Sequence, residues 1–336
     1  MNPRAAVGKI LGRCALAATM ALLAAPSGSL NAQTVAPAAP TPGPTGIAAD
    51  DAASKPDYEA AARPDQIGRI IVPVMVNGRG PFSFVLDTGA NRTVVTPQLL
   101  ATLGLQSAAD ESVTMNGATG SAVVPTARIE RIAAGDVVLT RQQLPVAGSL
   151  AIGIDGILGV DALEEKRVLV DFKTGKIEIR AARHQRPIPG AARISAEWRF
   201  GRLMIIDAYV DRIRVKAVVD TGSEYTLGND ALHEALYARA RGKLPYTPIN
   251  VLGETLALQR GEREMVKSLR VGDVRAEPFN IVFGEFYVFK LWDLDTQPAL
   301  VIGMDLIGKL DEFVIDYERR EVQLRARARD GEWFRR

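Results

Sequence analysis

The chain has 336 residues, and its 41 Lys and Arg against 39 Asp and Glu leave a net charge of +2. So small a net charge is not typical of proteins that bind nucleic acid through its phosphates, and we expect no nucleic-acid partner. The single cysteine, Cys14, lies close to the N-terminus. If that segment is removed, disulfide bonds and thiol chemistry are excluded for the rest of the chain.

The N-terminus has the pattern of a signal peptide. Arg4, Lys9 and Arg13 precede the apolar run Ala15–Ala25, and small residues follow as far as Ala32. The apolar run is too short to span a bilayer. We therefore predict a signal peptide over residues 1–32 and export to the periplasm. An uncleaved segment that anchors the protein to the membrane is the alternative.

Two further segments have little capacity to form a core. Residues 33–64 are rich in Ala, Pro and Thr, which predicts a disordered or extended linker. Residues 328–336 form a basic tail that contains Trp333 and Phe334. We interpret it as a solvated tail, with contact to a membrane surface or a partner as the alternative. Membrane contact is thus expected only through an uncleaved N-terminus or this tail.

The region between these segments is predicted to consist mostly of strands. Ile70–Val76 is apolar and β-branched, and the turn at Asn77-Gly78 leads into Phe82–Leu86, as in a hairpin. Leu203–Val210 and Val215–Val219 repeat this arrangement around a polar turn. Short helices are expected at Pro97–Leu103 and Asp230–Ala240, and closing hairpins at Val168–Ile179 and Phe313–Leu324.

These elements belong to an internal repeat. Asp87-Thr88-Gly89 and Asp220-Thr221-Gly222 each follow a short apolar run, and four further landmarks recur in the same order. The second copy is longer, and we place most of its insertion near Glu285–Thr296. The repeat predicts two lobes, at residues 65–183 and 193–327, joined near Pro187–Gly190. Burying a carboxylate costs free energy, so a buried carboxylate suggests a function. Two of them at matching positions of a repeat suggest a catalytic pair.

The segment from Phe84 to Val95 resembles the catalytic loop of retropepsin-like aspartic proteases. Ile157-Leu158-Gly159 and Val301-Ile302-Gly303 resemble the segments that pass behind the active-site loops in that family. The resemblance extends over nearly all of Asp65–Leu324 and is greatest to bacterial, exported, single-chain members. It implies an all-β fold of two pseudo-twofold-related β lobes, with few short helices and an active-site cleft between the lobes.

The resemblance also implies an exported aspartic endopeptidase that acts on polypeptides without a metal or cofactor. Asp87 and Asp220 would share a proton, because two adjacent carboxylates cannot both ionise cheaply. One would activate water as a base, and the other would protonate the scissile carbonyl as an acid. The residues expected to support the pair are Thr88, Gly89, Ala90, Thr221, Gly222 and Ser223.

Two features refine this hypothesis. The flap candidates, which would close over a bound peptide, are Asn116, Gly117, Gly253 and Glu254. Ser223 follows the second tripeptide where Ala90 follows the first, so we expect a hydroxyl donor beside Asp220 only. This asymmetry predicts that the pair keeps its shared proton to higher pH than a pair with two such donors.

Several alternatives remain open at this stage. A proteolytically silent peptide-binding or scaffolding module could use the same fold, and each lobe could instead pair with a lobe of another chain. Glu224 is interpreted as a solvated loop residue rather than a subsite determinant. The aromatic side chains of the insertion, Phe286, Tyr287, Phe289 and Trp292, are expected in the core rather than in the cleft. His184 and His233 are in no metal-ligand spacing and are expected at the surface.

Overall fold

The computed structural model describes residues 58–326 and 333–335, apart from 62, 66–67, 136, 149–152, 184, 201–202 and 243–244. The predicted signal peptide, most of the predicted linker, His184 and most of the basic tail lie outside the described residues. Within them the chain is mostly β, with short helices, as predicted. None of the helices in the described part combines the length and apolarity needed to cross a membrane.

The first half begins with two short strands and continues through the first copy of the repeat. Its strands are β1 (Tyr58–Ala61), β2 (Arg63–Pro64), β3 (Ile70–Val76), β4 (Arg79–Leu86), β5 (Val94–Val95), β6 (Ala108–Gly117), β7 (Gly120–Ala134), β8 (Val137–Pro145), β9 (Gly156–Leu158), β10 (Lys166–Asp171) and β11 (Lys176–Ala181). Helix α1 (Pro97–Leu103) follows β5, and a 3-10 turn at Val160–Ala162 follows β9.

The second half repeats this order with additional strands and helices. Its strands are β12 (Ala192–Ser195), β13 (Glu197–Arg199), β14 (Leu203–Val210), β15 (Ile213–Val219), β16 (Leu227–Gly228), β17 (Tyr246–Leu252), β18 (Leu258–Val266), β19 (Leu269–Val271), β20 (Val274–Ala276), β21 (Phe279–Phe283), β22 (Ala299–Ile302), β23 (Glu312–Asp316), β24 (Glu321–Arg325) and β25 (Trp333–Arg335). Its helices are α2 (Asp230–Ala240), α3 (Tyr287–Leu291) and α4 (Met304–Ile307).

The hairpins that precede the two Asp-Thr-Gly segments use the same turn chemistry. Asn77 and Gly78 both have positive φ between β3 and β4, and Asp211 and Arg212 both have positive φ between β14 and β15. Two consecutive residues with positive φ match the twist of the flanking strands, which makes a tight hairpin favourable. Both predicted hairpins are confirmed. Each Asp-Thr-Gly segment therefore follows a strand that is paired with the preceding strand of its hairpin.

Local capping explains where the two longer helices begin. The Thr96 side chain accepts a hydrogen bond from Leu99 N at 3.1 Å, and Pro97 occupies the first turn of α1. Asn229 plays the same part for α2, accepting from Leu232 N at 3.0 Å. Both helices have the bounds that the sequence predicts.

Each half forms a sheet in which the strand before Asp-Thr-Gly lies beside a parallel neighbour. β4 pairs in parallel with β9, and β5 pairs antiparallel with the same β9. In the second half, β15 pairs in parallel with β22, and β16 pairs antiparallel with the same β22. The first-half sheet has eight strands and the second-half sheet has eleven. This shared arrangement places the two Asp-Thr-Gly loops at equivalent sheet ends.

A third, six-stranded sheet combines strands from both halves in the order β1-β11-β10-β23-β24-β12. Its central pair joins the two copies of the repeat, with Val168 opposite Ile315 and Val170 opposite Phe313. All four of these side chains are buried in a core that extends through both halves. The two predicted closing hairpins therefore fold together into one layer.

Two boundary predictions are wrong. The linker was expected to reach residue 64, but Tyr58–Ala61 is a strand paired with β11, and Tyr58 is buried. The tail from residue 328 was expected to be solvated, but Trp333–Arg335 pairs with β20 at the edge of the second-half sheet. In both cases the strand forms because a distant partner strand offers free backbone groups, which local composition does not reveal.

The insertion in the second half supplies a helix, α3, and a second apolar cluster. Phe286, Phe289 and Trp292 are buried there against the second-half sheet. The predicted core position is thus confirmed for these three side chains, and burying each is worth about 2–3 kcal/mol relative to exposure. Tyr287 is only partly buried, and its hydroxyl lies 3.4 Å from Asn116 Oδ1.

Candidate active site

The two Asp-Thr-Gly loops meet at the interface between the halves. Asp87 follows β4, and its N–H donates to Leu158 O of β9 at 3.1 Å. Asp220 follows β15, and its N–H donates to Ile302 O of β22 at 3.0 Å. Both loops are therefore fixed by the parallel strand beside them. The structure brings the two aspartates together within one chain, so the pair needs no second chain.

The carboxyl groups of Asp87 and Asp220 lie close enough for each to change the pKa of the other. Each also lies against the glycine of the opposite loop. A Cβ placed on Gly89 would lie 2.6 Å from Asp220 Oδ2, and one on Gly222 would overlap the Asp87 carboxylate. Only a residue without a side chain permits this approach. The glycines of the two tripeptides thus set the distance between the carboxyl groups.

The threonines of the two tripeptides join the loops by four buried hydrogen bonds. Thr88 Oγ1 donates to Val219 O at 2.8 Å, and Thr221 Oγ1 donates to Leu86 O at 2.7 Å. Each hydroxyl oxygen also accepts the backbone N–H of the other threonine, at 3.1 and 3.2 Å. This reciprocal set fixes the backbone of one loop against the other.

Backbone donors orient one oxygen of each carboxylate. Asp87 Oδ1 accepts from Gly89 N at 2.8 Å and from Ala90 N at 2.9 Å, and Asp220 Oδ1 accepts from Gly222 N at 2.8 Å. The Ser223 hydroxyl donates to Tyr225 O at 2.8 Å rather than to Asp220. The prediction that the Ser223 hydroxyl donates to the catalytic pair is therefore wrong, because this hydroxyl bonds to an acceptor in its own loop.

Burial makes the pair hard to ionise fully. It raises the pKa of Asp87 well above the usual range, and the adjacent Asp220 charge raises it further. Burial, followed by the charge of Glu254, raises the pKa of Asp220 to about 6. The pair therefore keeps one proton to a higher pH than two separate carboxyl groups would. A neutral acid beside a charged base is the state that one shared proton produces.

The pair lies at one side of a cavity of about 330 Å³. Residues of both flap hairpins, β6–β7 and β17–β18, cover it, including Asn116, Gly117 and Glu254. The flap tips touch, because Thr119 Oγ1 donates to Ala257 O at 2.7 Å, and Gly253 packs directly on Thr119. Of the four flap candidates, Asn116, Gly117 and Glu254 line the cavity, and Gly253 lies at the contact between the tips.

The comparison with protein families gives a match to a family model described as aspartyl protease, over residues 72–162 and 206–306. These two regions cover more than half of the chain, and each contains one Asp-Thr-Gly segment. The chain belongs to the aspartyl protease family. The comparison with curated proteins found no match.

The two matched regions coincide with the two β halves of this aspartyl protease family member. The resemblance to retropepsin-like proteases is therefore confirmed, as is the all-β fold with two lobes. In this fold the segments that end in Gly159 and Gly303 pass directly behind the loops. A Cβ on Gly159 would lie 2.6 Å from the Arg92 carbonyl carbon, so the passage requires glycine.

A second pair of acidic residues, Asp161 and Asp305, supports the loops from behind. Asp161 accepts from Thr93 N and from Thr93 Oγ1, the latter at 2.7 Å. Asp305 Oδ1 accepts from Thr226 Oγ1, also at 2.7 Å. Both threonines are completely buried. The signal that could have identified these residues is their equivalent position in the two copies of the repeat. Asp161 lies two residues after Gly159, and Asp305 lies two residues after Gly303.

Two other sequence interpretations can be compared with the structure. Glu224 is not among the described residues that line the cavity. Trp292 belongs to the apolar cluster of α3 but also lines the cavity, together with Val288 and Leu291. The interpretation of the insertion as pure core is therefore incomplete, since one face of α3 forms a cavity wall.

His233 was expected to be solvated at the surface, and its side chain is only partly exposed, at 17%. Its Nε2 lies 2.8 Å from Glu264 Oε1, and its ring stacks on Phe283. The Tyr237 hydroxyl donates to the same oxygen of Glu264, which ties α2 to β18. His233, Glu262 and Glu264 each offer one potential metal-ligand atom, and these three atoms lie within 4.8 Å of one another. His233 and Tyr237 engage only Glu264 Oε1, while the buried Oε2 has no hydrogen-bond partner among the described residues.

Proposed function

We propose that the chain is an aspartic endopeptidase that is exported to the periplasm and hydrolyses peptide bonds. The observation that carries this proposal is that Asp87 and Asp220, each packed against the glycine of the opposite loop, line one cavity between two repeated halves. Membership of the aspartyl protease family supports a peptide as the substrate. The N-terminal sequence pattern supports export.

The pair has the two roles that hydrolysis needs. In this proposal Asp220 takes a proton from the attacking water, while Asp87 donates its proton to the carbonyl oxygen of the scissile amide. The tetrahedral intermediate then collapses, its C–N bond breaks, and the nitrogen leaves with a proton returned by the pair. Neither a covalent intermediate nor a cofactor takes part in this sequence. The flap hairpins hold an extended peptide against the pair and restrict access of solvent.

The pH dependence of hydrolysis is a direct test of these roles. Below about pH 6, Asp220 becomes protonated and the base is lost. At a higher pH, Asp87 loses its proton and the acid is lost. We therefore expect kcat/KM to follow a bell with an acid limb near pH 6 and an optimum in the near-neutral range. Activity that rises continuously towards strongly acidic pH would contradict the raised pKa of the pair.

The second candidate is a proteolytically silent module that binds peptides with the same cavity. Hydrolysis of a peptide library, measured with and without a pepstatin-like transition-state mimic, separates the two. Cleavage that the mimic blocks supports the protease. Binding of peptides without cleavage, at every pH between about 4 and 9, would favour the silent module.

A further inference from the structure

The tip of the second flap places a third carboxylate in the cavity of the catalytic pair. Glu254 follows Gly253 at the turn between β17 and β18, and it lines the same cavity as Asp87 and Asp220. Its Oε2 lies 3.5 Å from Ala118 N of the other flap. A Cβ on Gly117 would lie 3.0 Å from the same oxygen. The carboxylate thus reaches across the roof between the two flap tips.

The contacts of Glu254 leave most of its hydrogen-bonding capacity available. A distance of 3.5 Å to a backbone nitrogen is at the limit of a hydrogen bond and is weak. Arg69 shares a second, smaller cavity with Glu254. However, Arg69 is paired with Asp65 at 2.8 Å, and both of those side chains are buried. No described guanidinium or ammonium group forms an ion pair with Glu254 among the salt bridges of the structure.

The described lining of the cavity therefore holds more carboxyl groups than cationic groups. Its described lining contains three carboxyl groups and one guanidinium, that of Arg92, which is exposed and donates to Gln143 O at 2.7 Å. The carboxylates affect one another: burial and then the charge of Asp87 raise the pKa of Glu254, and Glu254 in turn raises that of Asp220. Like charges in a partly enclosed site repel, and a bound cation would relieve this repulsion.

We infer that Glu254 forms a subsite for a cationic side chain, Lys or Arg, located next to the scissile bond of the substrate. This inference rests on the proposed protease function and names its substrate class. The remaining wall suits such a side chain, because Met115, Ile157, Val288 and Trp292 offer apolar surface to its aliphatic stem. The charged end then pairs with Glu254, whose carboxylate accepts charge-assisted hydrogen bonds.

The test uses peptides that differ only in one residue beside the scissile bond: lysine, the neutral isostere norleucine, or glutamate. Each peptide is prepared in a cleavable form and as a statine-type analogue that cannot be cleaved. Hydrolysis gives kcat/KM, and calorimetry gives the Kd of the analogue. We expect the wild-type protein to favour lysine over norleucine by about 10- to 100-fold in both quantities, as for one hydrogen-bonded charge pair.

Three variants assign this preference to one side chain. Glu254→Gln is expected to abolish the preference for lysine, so that the lysine and norleucine values of this variant differ by no more than about 3-fold. Glu254→Lys is expected to transfer the preference to the glutamate peptide. Glu130→Gln is the matched control, since Glu130 lies on β7 with an exposed side chain paired to Arg128. It is expected to retain the full lysine preference.

The possible results separate the subsite from the protease function. Equal loss for lysine and norleucine in Glu254→Gln would overturn the inference, because it would indicate a role in holding the flaps only. Wild-type hydrolysis without a lysine preference would overturn it while the protease function stands. Lysine-selective binding that depends on Glu254, without any hydrolysis, would support the subsite and contradict the protease function.

Discussion

Replacing either Asp87 or Asp220 with asparagine is expected to reduce peptide hydrolysis by at least about 10³-fold. Asparagine keeps the shape and a hydrogen-bonding group, but it can neither take a proton from water nor donate one to the carbonyl oxygen. Because the two carboxyl groups act as a unit, the double variant should be scarcely slower than either single variant. The measurement is kcat/KM for one cleavable peptide near the pH optimum.

The same variants carry their own control for folding. The pKa values of Asp87 and Asp220 are higher in the folded protein than in the unfolded chain. The stability that these two groups contribute is therefore fully present below about pH 4, and it is lost as the pH rises through their folded pKa values. Asparagine does not titrate, so each variant should be at least as stable as the wild type near pH 8. Thermal unfolding at acidic and alkaline pH checks this. Substantial turnover in a folded single variant would show that one carboxyl group suffices.

Removing a threonine hydroxyl from the tripeptides is expected to damage both stability and activity. In Thr88→Val, the buried Val219 O loses its donor and Thr221 N loses its acceptor, and Thr221→Val does the same to Leu86 O and Thr88 N. Each unsatisfied buried group costs about 1–3 kcal/mol, so the two groups left by each variant should cost about 2–6 kcal/mol of unfolding free energy. Denaturant unfolding measures this loss.

The serine variants at the same positions provide the comparison. Thr88→Ser and Thr221→Ser keep the hydroxyl and remove one methyl group, so most of the stability and activity should be retained. A valine variant as active and as stable as its serine counterpart would mean that the threonine hydrogen bonds do not fix the two loops.

Sequence reasoning succeeded where the determinants are local. The bounds of α1 follow from Thr96, Pro97 and the left-handed Gly104, all within or next to the helix. The hairpin turn at Asn77-Gly78 is similarly encoded by its own two residues. The meeting of Asp87 and Asp220 followed from the repeat, since equivalent loops of a duplicated unit meet at its symmetry axis.

Sequence reasoning failed where a distant segment decides the outcome. Tyr58–Ala61 has no strong strand pattern and is ordered by pairing with Lys176–Ala181. The Ser223 hydroxyl could bond several acceptors, and only the loop conformation selects Tyr225 O. The direction of the Glu254 side chain depends on the opposite flap, since its oxygen is placed against Gly117 and Ala118.

The six-stranded sheet has a consequence for the autonomy of the two lobes. Because β10 pairs with β23 at its centre, a lobe isolated from the other would expose a full row of unpaired backbone N–H and C=O groups together with buried apolar side chains. Such a bare edge invites pairing with another chain. Cleavage of the connection near Pro187–Gly190 would therefore leave the two halves associated, because the pairing of β10 with β23 holds them together.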